Sequence, residues 1–372
     1  MSLRFDVEVE STETLATMHN GYFATTSYLA SAGQYFSSRF GSIIQQVIAG
    51  EPVFVTHLFY ATLGYMLCIG DLGERERDAL IKYVLKLRGP KGGFLAIPRD
   101  YANRLPKLGK SANSPMVPEV YSSYYSHFLL NLLDQEIGRH EKADLLSWVL
   151  AHQKTSGAVF NAEYSNTPEE RRAESEVTAQ TYFATELISH CSSDCSDYDL
   201  DSSLERIKNW VHQRYASLKT VAARYFAAKA LHRIAPEEVA NLGIAETLGF
   251  LEDRRSSDAD GFYDYRLQDK ADEAMTSGSL TELDKISSHI FSTYYASCIA
   301  RFLSIHAGLG KTSMVDHEAI RLLVSKAHNP DNGFGMKVLI KDFEQPFGPT
   351  STELETLLVL VFPALFHKGS AP

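Results

Sequence analysis

The sequence predicts an all-α protein in which buried inner helices alternate with solvent-facing outer helices. Three observations predict it: a recurring helix rich in Tyr, Phe and Ala, an amphipathic helix after it, and a Gly-Phe turn after several of these pairs. Repetition along the chain indicates one domain built from a repeated unit, so we expect a single domain over residues 1–372. Only residues 1–10 alternate in the manner of a strand, and we expect a short arm there.

The first kind of helix is apolar around nearly its whole circumference, which is typical of a buried helix. Its copies are residues 56–67, 122–133, 178–188, 221–231, 288–303 and 351–361, with 21–36 as an earlier candidate. These segments predict about six inner helices.

The second kind of helix carries one apolar stripe and one charged face, which is typical of an outer helix. Its clearest copies are residues 74–87, 142–153 and 316–326. Glycine can adopt the positive φ that a helix C-terminus requires, and the phenylalanine after it can pack behind the helix. The predicted turns are Gly92-Gly93-Phe94, Gly157-Ala158-Val159-Phe160, Asp260-Gly261-Phe262 and Asn332-Gly333-Phe334.

The composition of the chain limits the kinds of molecule that it is expected to bind. A net charge of −10 argues against nucleic acid or an anionic membrane surface. No apolar run reaches the ~18 residues of a membrane span, no signal peptide is recognised, and the four cysteines form no CxxC motif. We therefore expect a cytoplasmic protein. With 20 Phe and 19 Tyr but two Trp, the composition favours an apolar cavity over a sugar-binding cleft, which typically stacks Trp on its ligand.

The alternation of inner helix, outer helix and Gly-Gly-Phe turn resembles the prenyltransferase and squalene-cyclase repeat over residues 21–366. The resemblance implies an (α/α)6 toroid like that of terpenoid cyclases and protein prenyltransferases. It also implies a terpenoid cyclase-like enzyme that starts the cyclisation of an isoprenoid by protonation, in an apolar aromatic cavity. The expected ligand is a hydrophobic isoprenoid-like small molecule, and whether a second subunit completes the site stays open.

Class II terpene cyclases carry Asp-x-Asp-Asp-Thr-Ala at the start of an inner helix, and residues 174–179 (Glu-Ser-Glu-Val-Thr-Ala) resemble that motif. The resemblance implies that Glu176 is the general acid, with Glu174 beside it. A carboxylic acid in an apolar pocket has a raised pKa, so we expect Glu176 to be largely buried. The alternative is structural, because carboxylates at a helix N-terminus also stabilise the helix dipole.

Zinc-dependent prenyltransferases resemble one another in an Asp-x-Cys pair and a later histidine. Here His289 and Phe291 stand at the Asp and Cys positions, and the last inner helix has no histidine. Since a zinc site needs three protein ligands, we expect no bound metal. Magnesium would be needed only with a diphosphate substrate.

The remaining candidates are substrate contacts on the inner helices. Aromatic rings can stabilise a cation, and an inward histidine or arginine can hold a polar group. The expected contacts are His57, Tyr60, Tyr125, Tyr182, Arg224, His289, Tyr294 and Tyr295. Because arginine is rarely buried without a partner, we expect Arg224 to pair with Glu176, with Glu186 or with an anionic ligand.

Two other functions stay open. The first is a toroid that binds a ligand or partner without catalysis. The second is a sugar-active (α/α)6 glycosidase or lyase, which needs two inward carboxylates, for which Glu163, Glu176 and Asp264 are candidates.

Overall fold

The computed structural model describes residues 27–102, 117–161, 174–192, 200–255, 261–264, 290–306, 317–328, 330–336, 350–351 and 353–361. These residues are mostly helical, as predicted. The α-helices are α1 Ser27–Ala49, α2 Val55–Cys68, α3 Glu74–Lys86, α4 Arg99–Ala102, α5 Val120–Leu132, α6 Arg139–Ala151, α7 Glu174–Cys191, α8 Leu200–Arg214, α9 Val221–Ile234, α10 Ile244–Glu252, α11 Ile290–His306, α12 His317–Ala327 and α13 Glu353–Val361.

Short elements complete the described chain. Two 3-10 helices, Tyr215–Ser217 and Pro236–Leu242, lie on either side of α9. An antiparallel pair joins β1, Gly335–Met336, to β2, Thr350–Ser351. None of the described helices is both long and apolar enough to cross a membrane.

Six helices form a closed inner ring. Going around it, α2 contacts α5, α5 contacts α7, α7 contacts α9, α9 contacts α11, α11 contacts α13, and α13 returns to α2. Outer helices pack against this ring, among them α8 on α9, and α10 and α12 on α11. The all-α toroid predicted from the sequence is therefore confirmed.

Helix α1 does not have the position in the ring that the sequence predicts for it. Residues 21–36 were a candidate inner helix, but α1 begins at Ser27 and packs against α2, α3 and α13 without entering the inner ring. Its side chains explain this position, because Gln34, Ser37 and Ser38 are exposed whereas Phe36 and Phe40 are buried. One buried face and one exposed face make α1 an outer helix.

The turns after the outer helices repeat one local geometry. Isolated antiparallel bridges join Arg88 to Phe94, Gln153 to Val159, Arg255 to Phe262 and His328 to Phe334. Val159 therefore takes the bridge position in the second turn, and Phe160, which was expected there, is the next residue along and is also buried.

A hydroxyl on the following inner helix holds each of these turns. Ser123 Oγ accepts a hydrogen bond from the Phe94 N–H, and Thr181, Thr293 and Thr356 accept from the N–H groups of Val159, Phe262 and Phe334, at donor–acceptor distances of 2.9–3.1 Å. These bonds satisfy buried backbone donors that would be costly to leave unpaired. The inner helices therefore carry buried Ser and Thr for a structural reason.

Glycine is required where a turn meets the next outer helix. Gly157 has a φ of +103°, and a Cβ there would lie 2.1 Å from the Arg206 carbonyl oxygen on α8. We expect Gly157→Ala to lower the free energy of unfolding by about 2–4 kcal/mol, because both the φ and the contact oppose a side chain. Chemical denaturation measures this loss.

Gly249→Ala is the matched control. Gly249 lies inside α10, and a Cβ there would meet nothing within 4 Å. Since alanine favours a helix over glycine, this variant should be unchanged or more stable by up to about 1 kcal/mol. Equal effects of the two substitutions would contradict the role given to Gly157.

Candidate functional site

The N-terminal ends of the inner helices meet at one end of the ring. The turn after α3 bonds to two of them, since the Val55 N–H donates to the Ala96 carbonyl and the Glu119 N–H donates to the Phe94 carbonyl. The Asn161 side chain, from the next turn, accepts a hydrogen bond from the Val120 N–H through its Oδ1. We call this end the N-terminal mouth and define it by residues 54–57, 119–122, 174–176, 219–222 and 353–354.

Aromatic rings from five inner helices form a continuous series. It runs from α2 to α11, with neighbouring ring centroids 5.2–5.7 Å apart. We call this series the aromatic row and define it as Phe59, Tyr60, Tyr125, Phe183, Phe226 and Tyr295. Edge-to-face and offset contacts at these distances are favourable, so the rings stabilise one another across the helices.

Half-buried rings mark the inner side of the ring. Within the row Tyr60, Phe226 and Tyr295 are half-buried, and Tyr182 and Phe291 beside it are half-buried too. Inner helices are covered by neighbours on their other sides, so the surface left open on them faces the centre of the ring. Tyr125 is buried, and its hydroxyl lies 2.6 Å from that of Tyr60. Burial raises the pKa of Tyr125, with further contributions from Tyr60.

Tyr294 lies elsewhere. It is only 2% exposed and packs in the core beside Tyr295. Its expected contact with a substrate is therefore corrected: Tyr295 has the half-buried position, and Tyr294, one residue earlier, points into the packing between helices.

Glu174 and Glu176 both lie in the first turn of α7, as predicted, but the burial expected for Glu176 is wrong. Glu176 is exposed and accepts a hydrogen bond from Gln180, one turn later on its own helix. Glu174 accepts a hydrogen bond from the Lys219 N–H at 2.7 Å, which ties α7 to the segment before α9. An exposed carboxylate lacks the desolvation that keeps an acid protonated.

Arg224 is buried as expected, but neither Glu176 nor Glu186 is its partner. Its guanidinium donates to the carbonyls of Leu218 and Ala216 and lies over the Phe250 ring, 3.7 Å from the ring centroid. Arg224 and the half-buried Phe226 are two residues apart, so they lie on nearly opposite sides of α9. Arg224 therefore packs outward against α10 and does not face the centre.

Glu186 instead pairs with Arg233 on α9, at 3.6 Å. This pair belongs to the C-terminal end of the inner helices, together with His127 and His190, whose ring centroids are 5.9 Å apart. Burial lowers the pKa of His127 to about 3 and also lowers that of His190. Both imidazoles are therefore neutral at physiological pH.

A polar cluster that the sequence did not predict lies between α1, α2 and α13. Glu353, only 5% exposed, lies 3.3 Å from His57 Nδ1 and accepts a hydrogen bond from Arg39 Nε. Burial raises the pKa of Glu353, but the hydrogen bonds from His57 and Arg39 outweigh it, and the pKa falls to about 2. Nothing local in the sequence signals this cluster, because 296 residues separate His57 from Glu353.

Of the candidate carboxylates of a sugar-active enzyme, the structure describes Asp264 and Glu176. Asp264 accepts a hydrogen bond from the Ala222 N–H at 2.8 Å and so caps the N-terminus of α9. Burial raises the pKa of Asp264, against the lowering effect of that bond. Glu176 is exposed on α7, and both Glu163 and His289 lie outside the described residues.

A small cavity opens at the mouth between α2 and α5. Its volume is about 240 Å³, and its lining is Phe54, Val55, Thr56, Ala96, Glu119, Tyr121 and Ser122. The Tyr121 ring packs on Phe183, so one residue of the lining contacts the aromatic row. Within the described ranges, no group of three His, Cys, Asp or Glu side chains could hold a metal ion.

The cluster at Glu353 predicts a pH dependence of stability. A carboxyl group whose pKa is lowered by folding contributes stability above its unfolded pKa, and this is lost as the pH falls through the folded value. The relevant window runs from 4.5 down to about 2. Glu353→Gln should therefore cost on the order of 3 kcal/mol at neutral pH, and this deficit should shrink toward pH 2.

Denaturant unfolding of both chains across this pH range measures the effect. Glu136→Gln is the control, because Glu136 is exposed in the connection between α5 and α6. We expect the control to follow the unaltered chain. A Glu353→Gln deficit of the same size at pH 2 and pH 7 would contradict the prediction.

Comparison with known proteins agrees with this architecture. The family model described as the prenyltransferase alpha-alpha toroid domain matches residues 30–217 and 204–345. A comparison with curated proteins gave no match. The matched residues cover most of the closed ring of helices and its Gly-Phe turns, and the chain belongs to the prenyltransferase alpha-alpha toroid domain family.

Proposed function

We propose that this protein binds an isoprenoid-like apolar molecule at the centre of its inner ring. The observation that carries the proposal is the aromatic row, whose half-buried rings come from α2, α9 and α11. Membership of the prenyltransferase toroid family supports the same class of ligand.

Aromatic surface that is partly exposed to water is unfavourable in free energy, and a bound apolar ligand would cover it. Each apolar Å² removed from water is worth roughly 25 cal/mol, so a chain lying against several rings gains several kcal/mol. Aromatic faces also suit unsaturated carbons, and they would stabilise a cation if one formed. A branched polyene matches such a surface better than a sugar, whose hydroxyls need many polar partners.

Phe226→Ala tests this binding. Phe226 is half-buried and touches both Phe183 and Tyr295, so its loss interrupts the row between α7 and α11. We expect the affinity for a fluorescent farnesyl analogue to fall about tenfold. Fluorescence titration of the purified chain measures the affinity, and circular dichroism checks that the variant is folded.

Tyr28→Ala is the matched control. Tyr28 is also a half-buried aromatic residue, but it lies on the outer helix α1 and packs on His328 and Phe334. Its loss should leave the affinity unchanged. Tight binding of the analogue that is insensitive to Phe226→Ala would place the ligand elsewhere on the molecule and overturn the proposal.

Binding without catalysis fits these residues better than cyclisation started by Glu176. A carboxylic acid that protonates an alkene needs an apolar environment, whereas Glu176 is exposed and bonded to Gln180. The terpenoid cyclase-like reaction remains the second candidate, and the aromatic row favours it, because such rings can stabilise a carbocation.

Glu176→Gln separates the two candidates. For a binding protein, we expect the ligand affinity to stay within about twofold and the stability to change by less than about 1 kcal/mol, because the side chain is exposed. Incubation with isoprenoids and analysis of the products by mass spectrometry is the second measurement. A cyclised product whose formation falls by about 10²-fold or more in Glu176→Gln would establish the cyclase instead.

A further inference from the structure

We propose that three charged side chains lie beneath the aromatic row and limit the apolar ligand to about three isoprene units. They are Glu186 on α7 and Lys229 and Arg233 on α9, and we call them the charged floor. This inference rests on the proposed binding function and specifies the class of ligand for the same site.

The charged floor faces the centre of the ring. Glu186 follows the half-buried Tyr182 by four residues, and Lys229 and Arg233 follow the half-buried Phe226 by three and seven residues. Residues at these spacings share one face of a helix. Since Tyr182 and Phe226 face the centre, the three charged residues face it too, nearer the C-terminal ends of the helices.

An ion pair joins the two helices within the charged floor. The Arg233 Nε lies 3.6 Å from the Glu186 Oε2, and the two side chains are 36% and 15% exposed. Both groups therefore keep some contact with water. An apolar chain end pressed against them would remove this water and supply no hydrogen bonds in exchange, which is unfavourable.

The inner face of α11 is covered beyond the aromatic row. Phe291 and Tyr295 are half-buried, whereas Cys298 and Phe302, further along the same face, are each only 3% exposed. The Lys229 ammonium lies over the Phe302 ring, 5.1 Å from its centroid. The stem of Lys229 thus covers apolar surface on α11, while its ammonium adds a charge to the floor.

The positions of the mouth and the charged floor give the depth available to a ligand. Glu176 and Glu186 are ten residues apart on α7, and Ala222 and Lys229 are seven residues apart on α9. The helical rise makes these separations roughly 15 and 10 Å. An extended carbon chain advances about 5 Å over the four bonds of an isoprene unit. Two to three units therefore fit between the mouth and the floor.

The experiment compares three hydrocarbons that differ in their number of isoprene units: myrcene with two, farnesene with three and springene with four. Their affinities for the full chain are measured by displacement of the fluorescent farnesyl analogue. From myrcene to farnesene the affinity should rise at least about tenfold, because one more unit leaves water. From farnesene to springene it should change by less than about threefold, because the fourth unit would stay in water or meet the charged floor.

A triple variant removes the charges of the floor. Glu186→Met, Lys229→Met and Arg233→Met together leave unbranched, apolar side chains that adapt to a neighbouring ligand. Springene should then bind more than about threefold more tightly than farnesene, and circular dichroism checks that the variant is folded. If it does not fold, Lys229→Met alone keeps the ion pair and should raise the springene affinity by more than about threefold.

An ion pair outside the inner ring provides the matched control. Lys208 on α8 lies 3.1 Å from Glu238 in the 3-10 helix Pro236–Leu242, and both side chains are partly buried. Lys208→Met together with Glu238→Met removes this pair in the same way. The affinities of the three hydrocarbons should equal those of the unaltered chain.

The two levels of the proposal fail differently. If springene binds the unaltered chain more than about threefold more tightly than farnesene, the charged floor does not limit the ligand, and apolar binding stands. The same holds if the folded variant without these charges keeps the limit at three units. If neither the analogue nor any of the hydrocarbons binds, the proposed function itself is wrong.

Discussion

A closed ring of helices depends on the one junction where its first and last inner helices meet, and in this protein a single buried carboxylate lies at that junction. Glu353 begins α13, contacts His57 on α2 and bonds to Arg39 on α1. Every other neighbouring pair in the ring is joined by a shorter stretch of chain, but here 296 residues separate His57 on α2 from Glu353 on α13. A low pKa keeps this carboxylate ionised, so it accepts from both partners throughout the physiological range.

The rest of the ring is held by a local device that repeats. Each described Gly-Phe turn places a backbone N–H against a Ser or Thr hydroxyl of the next inner helix, and at Gly92 and Gly157 the turn also approaches an outer helix closely. Because the same turn fixes the start of an inner helix, the helix N-termini collect at one end. The N-terminal mouth is thus a consequence of the repeat. At the junction described above, Glu353 connects the first and last inner helices of that repeat.

Much of the fold followed from periodicity. Residues 56–67 and 221–231 were predicted as inner helices, and the observed helices are Val55–Cys68 and Val221–Ile234. The direction in which a single side chain points was harder to predict from the sequence, because it depends on partners that are distant in sequence. Arg224 was expected to face an inner carboxylate, but the carbonyls of Leu218 and Ala216 hold it on the outer side of α9.

In the candidate site, too, the helix that carries a residue could be predicted from the sequence, whereas the partners of its side chain could not. His57, Tyr60, Tyr182 and Tyr295 were named from their place on inner helices, and the structure leaves each of them half-buried or exposed on an inner helix. The role of Glu353 could not be predicted from the sequence, because it arises only when α13 meets α2. Function in a ring of this kind therefore depends on which residues of each inner helix face the centre. By that criterion, Arg224 and Asp264 are not part of the site, because they belong to the packing and capping of α9.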